Sequence, residues 1–578
     1  MDRRSLLKIA AAGTAAASVA GIARATGNPR AITVRDRGTS RHPYGAAIDK
    51  LVAYAERDLV TAGIPGLSLC LVDAEGFAAV VCLGWADMDR RIPMDPSHLF
   101  QIGSISKSFG ALCVYRLVDQ GTIDLDAPLS RYLPDAPLPA EPILVQQILS
   151  HTAGLPRSAP VFPRVPDHKL WTGFTPGTNF SYSNTGYELI GMLIEKVTGK
   201  PYPLALRELV IGPLGITGMK ETLQVSDRAS YAVGYSPLDA SGSIMTNVPL
   251  GQTQWINFDT PDGNIGTSAD AMTRYLRYLI AVGRGHGAPL LSDASARRFI
   301  TAAEPAAAAA FGKGAAYASG LEVIDFDGHS ALHHTGGTWG FASSMTVDPV
   351  TGVGCFLSVN ARVAGYRPEE ISKYACKLLR YAREGGEPPR PPETPSPDEI
   401  SSAEDYAGTF IGPNGARFQL IARPARLTLS ADGREGRMQP MGDHKFMSDH
   451  PRFGAHVFDF ERSGDRVTAV WFGGTLYGRG TAVPQPTVPA DLAALQGDYV
   501  GTDPMGGWWR TVIAQGERLV LETDAGSRAK NTLLRRGDYW QMASSENPCE
   551  RVRFLDVING VPQRLNVSGR DLRRFNRR

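Results

Sequence analysis

Cysteine is scarce in this 578-residue chain: Cys70, Cys82, Cys113, Cys355, Cys376 and Cys549 are all there is, with no Cys-x-x-Cys pair and no Cys/His cluster. That scatter excludes a structural zinc site built from ligand pairs, and the apolar runs around most of these residues mark them as small core side chains. An excess of charge of one sign is lacking too. Sixty Lys and Arg stand against 58 Asp and Glu, giving a formal net charge of +2 without a long basic block. There is thus no electrostatic footprint for nucleic acid. Past the first 25 residues no stretch reaches the roughly 20 apolar residues that a membrane helix needs. Nothing in the sequence calls for a metal or a cofactor. What remains is a chain of ordinary globular composition, too long for one core, with two to four domains expected.

Residues 1–25 read as a leader. Arg3-Arg4-Ser5-Leu6-Leu7-Lys8 resembles the twin-arginine export signal, and a weakly apolar segment from Ile9 to Ile22 precedes an Ala23-Arg24-Ala25 cleavage pattern. The expectation is a periplasmic or secreted bacterial protein with no membrane span once the leader is removed.

The stretch Phe100-Gln101-Ile102-Gly103-Ser104-Ile105-Ser106-Lys107 carries the first chemical signal. Apolar spacing at Phe109, Leu112, Cys113, Leu117 and Val118 predicts a helix from Ser104 to Gln120, closed by Gly121. Ser104 and Lys107 then share a helix face, a hydroxyl and an amine close enough to act as nucleophile and proton acceptor. Ser-x-x-Lys alone is weak: Ser5 with Lys8 and Ser527 with Lys530 repeat it. Two further patterns each occur once, Tyr182-x-Asn184 after a Pro176-Gly177 turn and His334-x-Gly336 at a strand end. Around them the periodicities predict helices Ala46–Ala62, Asp270–Val282 and Glu370–Arg383. They also predict strands Leu67–Val72, Phe77–Leu83, Ala331–Gly336, Phe341–Val347 and Gly354–Val359.

Taken in order, Ser104-x-x-Lys107, Tyr182-x-Asn184 and His334-x-Gly336 resemble the penicillin-recognising serine hydrolases. The branch is that of class C β-lactamases, D,D-peptidases, D-aminopeptidases and esterases. The resemblance spans about Ala46 to Arg383 and implies an α+β fold: a β-lactamase/transpeptidase-like catalytic domain over residues 26–383, an antiparallel sheet with helices plus a helical subdomain. It implies that Ser104 attacks an acyl carbonyl, that Lys107 or Tyr182 takes its proton, and that Asn184 bonds the substrate or steadies Lys107. The backbone N–H groups of Ser104 and Gly337, beside Gly336, would form the oxyanion hole. His334 departs from the lysine usual in β-lactamases and matches the D-aminopeptidase and esterase members. His334→Lys is accordingly expected to shift preference toward substrates with a free carboxylate.

A proline-rich linker, residues 384–399, ends this region. Short strands follow in two sets, residues 400–482 and 490–578, separated by a second break at 483–489. Each set opens alike, Asp405-Tyr406-Ala407-Gly408-Thr409 and Asp498-Tyr499-Val500-Gly501-Thr502. The expectation is a diverged repeat of two small antiparallel β-barrels. A catalytic domain followed by two such barrels resembles the three-domain D-aminopeptidases, which use an accessory loop to shape the active site. The function implied is an exported serine acyl-hydrolase working through an acyl-enzyme on a small amide or ester, D-amino-acid peptides first. A carboxylesterase or weak β-lactamase is the alternative among enzymes, and a non-turnover acyl-binding or cell-wall sensor the alternative of another kind. The partner expected is a small-molecule or peptide substrate.

Overall fold

Two strands with apolar side chains at nearly every position, Gly66–Asp73 and Val353–Val359, pair antiparallel at the centre of the catalytic sheet. Both are buried along their whole length because helices cover both faces. In this computed structural model the described residues are 29–35, 43–237, 249–303, 315–363, 365–393, 399–442, 444–503, 506–523, 530–543 and 548–575. The expected leader, Ser527 and the middle of the proline-rich linker lie outside them.

The sheet runs Arg30–Arg35, Ala78–Asp87, Gly66–Asp73, Val353–Val359, Ala342–Asp348, Ser330–Gly337, Glu322–Asp325 and Ala316–Tyr317, with Ile92–Pro93 paired on Ala78–Asp87. Leu67, Leu69 and Leu71 join one apolar cluster with the helices Gly45–Ala62 and Pro368–Glu384. Cys70 and Val72, pointing the other way, join the cluster that holds the helices Ser106–Asp119 and Ala269–Gly283. All six cysteines are buried and unpaired. Among the described residues no helix is long and apolar enough to cross a membrane.

The helix after Ser104 differs from its amphipathic reading. A 3₁₀ turn, Gly103–Ile105, leads into the α-helix Ser106–Asp119, and nearly every residue from Ser106 to Leu117 is buried. It is a central helix with protein on all sides, which explains why serines and alanines occupy its supposed outer face. Tyr275 stacks on Phe109 with ring centroids 3.9 Å apart and donates to Ser108 Oγ at 2.6 Å. Gly121 has the positive φ of 70° expected past a helix end.

Past the linker, eight strands from Gly408 to Arg479 close into one antiparallel barrel, and eight from Gly497 to Phe575 into another. Phenylalanines (Phe410, Phe418, Phe446, Phe458 and Phe460) fill the first. Trp540 packs against the core of the second, as an ordinary barrel side chain does; the side chain of Trp508 lies outside the described set. The repeat is real but its register is not the one the Asp-Tyr-x-Gly-Thr phrases suggest. Gly408 and Gly497 correspond: each follows a short helix, Ala403–Tyr406 or Ala490–Leu495, and each lies under an arginine of the last strand. Arg479 donates to Ala407 O and Arg574 to Gln496 O, capping the short helix the same way. Gly408 therefore matches Gly497, and the likeness to Gly501 is fortuitous.

Candidate active site

Two glycines bring the serine turn against the Ser330–Gly337 strand. Gly103 has φ 52°, and a Cβ there would lie 2.7 Å from Gly337 N. A Cβ on Gly336 would lie 1.9 Å from Ile102 O, so only glycine fits. The backbone N–H groups of Ser104 and Gly337 are thus drawn to one place. Ser104 is half-exposed; Lys107, one turn on, is fully buried.

Lys107 Nζ lies 3.2 Å from Ser104 Oγ, 2.8 Å from Asn184 Oδ1 and 2.9 Å from Asp262 O. Nζ thus donates toward two carbonyl oxygens and the serine hydroxyl; as a neutral amine it keeps the two carbonyl bonds and can turn its lone pair to that hydroxyl. Burial pushes Lys107 down to about 7, opposed by Asp262, reinforced by Arg157 and opposed again by Glu188. Tyr182 lies with its ring 4.9 Å from Lys107 Nζ. Burial pushes its phenol well above the ordinary value, and a hydrogen bond with Ser104 only partly offsets that. Tyr182 and Asn184 converge because Ser183 ends the extended segment and caps the helix Asn184–Thr198, accepting from Gly186 N at 2.9 Å.

His334 is brought to the same cluster, its ring centroid 6.4 Å from that of Tyr182, but not as a free donor. Its Nδ1 lies 2.6 Å from Thr335 O and so carries the proton; Nε2 accepts from the Tyr317 hydroxyl at 2.9 Å. Burial, with Lys107 adding to it, pushes the imidazole down to about 3. Both nitrogens are committed to protein groups, Nδ1 to Thr335 O and Nε2 to the Tyr317 hydroxyl.

A family model described as Beta-lactamase matches residues 47–379. The chain belongs to the beta-lactamase family. It is 24% identical over 356 residues to Protein flp of Staphylococcus aureus (strain N315), covering 58% of this chain and 67% of that protein. It is 30% identical over 174 residues to Penicillin-binding protein 4* of Bacillus subtilis (strain 168), covering 26% of this chain and 38% of that one. The octameric penicillin-binding protein homologue from Pyrococcus abyssi shares the fold. Its TM-score is 0.54 at 22% identity, over 74% of this chain and 99% of that one.

Around this beta-lactamase-family site the structure adds residues that the sequence patterns did not single out. His151, with φ 60°, brackets Tyr182: its backbone oxygen accepts from Ser181 N at 2.9 Å and its Nδ1 from Ser183 N at 3.0 Å. Its ring stands 4.2 Å from the Tyr182 ring. Its loop, Leu149 to Pro156, is one of the stretches in which the sequence resembles the family, and that likeness was the available signal. Two arginines flank the cleft. Arg157 lies 5.2 Å over the Tyr182 ring, and the Arg362 guanidinium lies 3.7 Å from where a Gly337 Cβ would stand, donating to Thr338 O at 3.2 Å. The second barrel reaches the same loop: Glu550 Oε1 accepts from Arg157 N at 2.6 Å, and Cys549 O from Trp171 Nε1 at 2.8 Å. A separate cavity of about 610 Å³, lined by His98, Gln101, Tyr231, Trp255 and Phe341 among others, shares no residue with the Ser104 cluster.

Proposed function

We propose that the protein is an exported serine acyl-hydrolase that cleaves a small peptide amide through an acyl-enzyme, with peptides bearing D-residues as the substrate class. The observation that carries this is the buried Lys107 amine directed at Ser104 Oγ from 3.2 Å. Lowered to about 7, it is available as a base at neutral pH, while Tyr182 stays protonated and serves as a donor. Ser104 Oγ attacks the acyl carbonyl as its proton passes to Lys107. The carbonyl oxygen charges in front of Ser104 N and Gly337 N, where one donor contributes about a hundred- to thousand-fold in rate. Tyr182 delivers a proton to the leaving nitrogen and regains one from the Lys107 ammonium; water then attacks the acyl-enzyme, its proton passing through Lys107 to Ser104 Oγ as the acyl group leaves.

Arg157 and Arg362 favour a peptide with a free carboxylate over a neutral ester, since two cations flank the cleft; burial lowers Arg362, and Arg157 adds to that. The test is a panel of D-alanine p-nitroanilide, D-alanyl-D-alanine peptides, their L-counterparts, p-nitrophenyl butyrate and nitrocefin. Turnover of D-amides above all others, lost in Ser104→Ala, is the expected result. Turnover of the ester or nitrocefin alone would overturn the substrate assignment. Export is part of the same proposal, read from residues 1–25; fractionation of cells expressing the full chain and an Arg3→Lys/Arg4→Lys variant tests it.

A further inference from the structure

Behind Lys107 lies a pair of carboxyl groups that the proposed reaction has not used. Pro261 is wedged between two helices at their glycines. A Cβ on Gly110 would lie 2.8 Å from Pro261 Cβ, and one on Gly191 2.8 Å from Pro261 Cδ. Gly110 follows Lys107 by three residues on the Ser106–Asp119 helix, and Gly191 follows Glu188 by three on the Asn184–Thr198 helix. Each glycine therefore shares a face with a titratable side chain. The wedge delivers the next residue, Asp262, between them. Its backbone oxygen accepts from Lys107 at 2.9 Å and its Oδ1 from Thr260 Oγ1 at 2.7 Å. The loop is then tied down again, Asn264 Nδ2 donating to Glu221 O at 2.6 Å and Ile265 N to Ser106 Oγ at 3.1 Å. Asp262 is buried and Glu188 half-buried. Placing two carboxyl groups here is costly unless a nearby cation offsets them.

We propose that Asp262 and Glu188 are positioning residues for the Ser104 reaction: two carboxyl groups set behind Lys107 whose negative charge stabilises the ammonium formed on it. The proposal rests on the acyl-hydrolase reading. In that step the Ser104 O–H bond breaks as the Oγ–C bond to the acyl group forms, and the proton ends on Lys107 Nζ; no further reactant is needed. The surrounding charges agree with this assignment. Burial raises Asp262, which Lys107 lowers and Asp259 raises. Burial raises Glu188 to about 8, with Asp262 adding to it and Arg570 of the second barrel and Lys107 opposing it. Arg157 faces Lys107 and disfavours its charge. His151 and His334 are held neutral and Tyr182 protonated, so none of them supplies a negative charge.

The test is the pH dependence of Ser104 labelling by a fluorophosphonate probe in the full-length protein. Asp262→Asn combined with Glu188→Gln removes the charge that favours the Lys107 ammonium. The midpoint of the acid limb should then move down by about one pH unit, and the plateau rate should fall about tenfold. A purely structural role lowers the rate or the melting temperature and leaves the midpoint in place; a folded double variant with an unmoved midpoint overturns the proposal. Should that variant not fold, Glu188→Lys must show a lower midpoint than Glu188→Gln, and equal midpoints overturn it. A wild-type protein that takes no label sinks the hydrolase reading itself, an outcome distinct from labelling with an unmoved limb.

Discussion

Replacing Lys107 by methionine removes a group that holds its proton differently in the folded and unfolded chains. Unfolded, the amine has its ordinary value of 10.5; folded, burial brings it to about 7. Between pH 7 and pH 10 the unfolded chain therefore carries a proton that the folded chain has shed. Wild-type stability rises with pH through that window by about 1.4 kcal/mol per unit, about 4 kcal/mol in all. The methionine variant lacks this contribution. It also leaves Asn184 Oδ1 and Asp262 O without their Lys107 donor, at about 1–3 kcal/mol each, but that cost does not vary with pH. The slope, not the offset, is diagnostic. Thermal unfolding of the catalytic domain for both proteins across this range should show the wild type gaining on the variant by roughly 8 °C, at about 2 °C per kcal/mol. Parallel curves would mean that Lys107 is already an ammonium at neutral pH, and its assignment as the base would fall.

Other consequences follow from the same geometry. His334→Lys puts an ammonium into a buried slot between Tyr317 and Thr335, near Lys107, and should destabilise the protein by about 3–5 kcal/mol in denaturant unfolding without the substrate shift that the sequence pattern suggested. Wild-type stability with a new preference for carboxylates would contradict this. Gly336→Ala sets a methyl group against Ile102 O and should spread the Ser104 and Gly337 amides, cutting acylation about a hundredfold in stopped-flow assays. Arg362→Ala should raise KM about tenfold for peptides with a free carboxylate and leave p-nitrophenyl butyrate unaffected; equal effects on both would remove the arginine from substrate recognition.

How much of this was legible depended on whether a feature lies within one segment. The Ser104 helix could be read from local spacing, and so could the strands from Leu67 to Val359 and the barrel texture after the linker. The membership of Tyr182, Asn184 and His334 in one cluster was legible only as a resemblance, because nothing in a single segment states where distant segments meet. Asp262 was invisible for the same reason: its contact with Lys107 spans 155 positions, and a lone aspartate in a loop carries no pattern. The partner of His334, Tyr317, was not legible either, because it comes from another strand and is joined to Nε2 only in the folded chain. The two barrels were legible, but their mutual register was not: the Asp-Tyr-x-Gly-Thr likeness is local, whereas the matching glycines are fixed by Arg479 and Arg574, far along each chain segment. The central helix was mistaken for an amphipathic one because small residues such as Ser108 and Ala111 look like an outer face until Tyr275 is seen packed on it.

The most direct measurement is peptide mapping by mass spectrometry after brief exposure of the full-length protein to a D-alanine p-nitrophenyl ester at pH 8. One acyl adduct on the peptide containing Ser104, decaying as product is released and absent from Ser104→Ala, is the predicted result. An adduct on another residue, or turnover that survives Ser104→Ala, would contradict it.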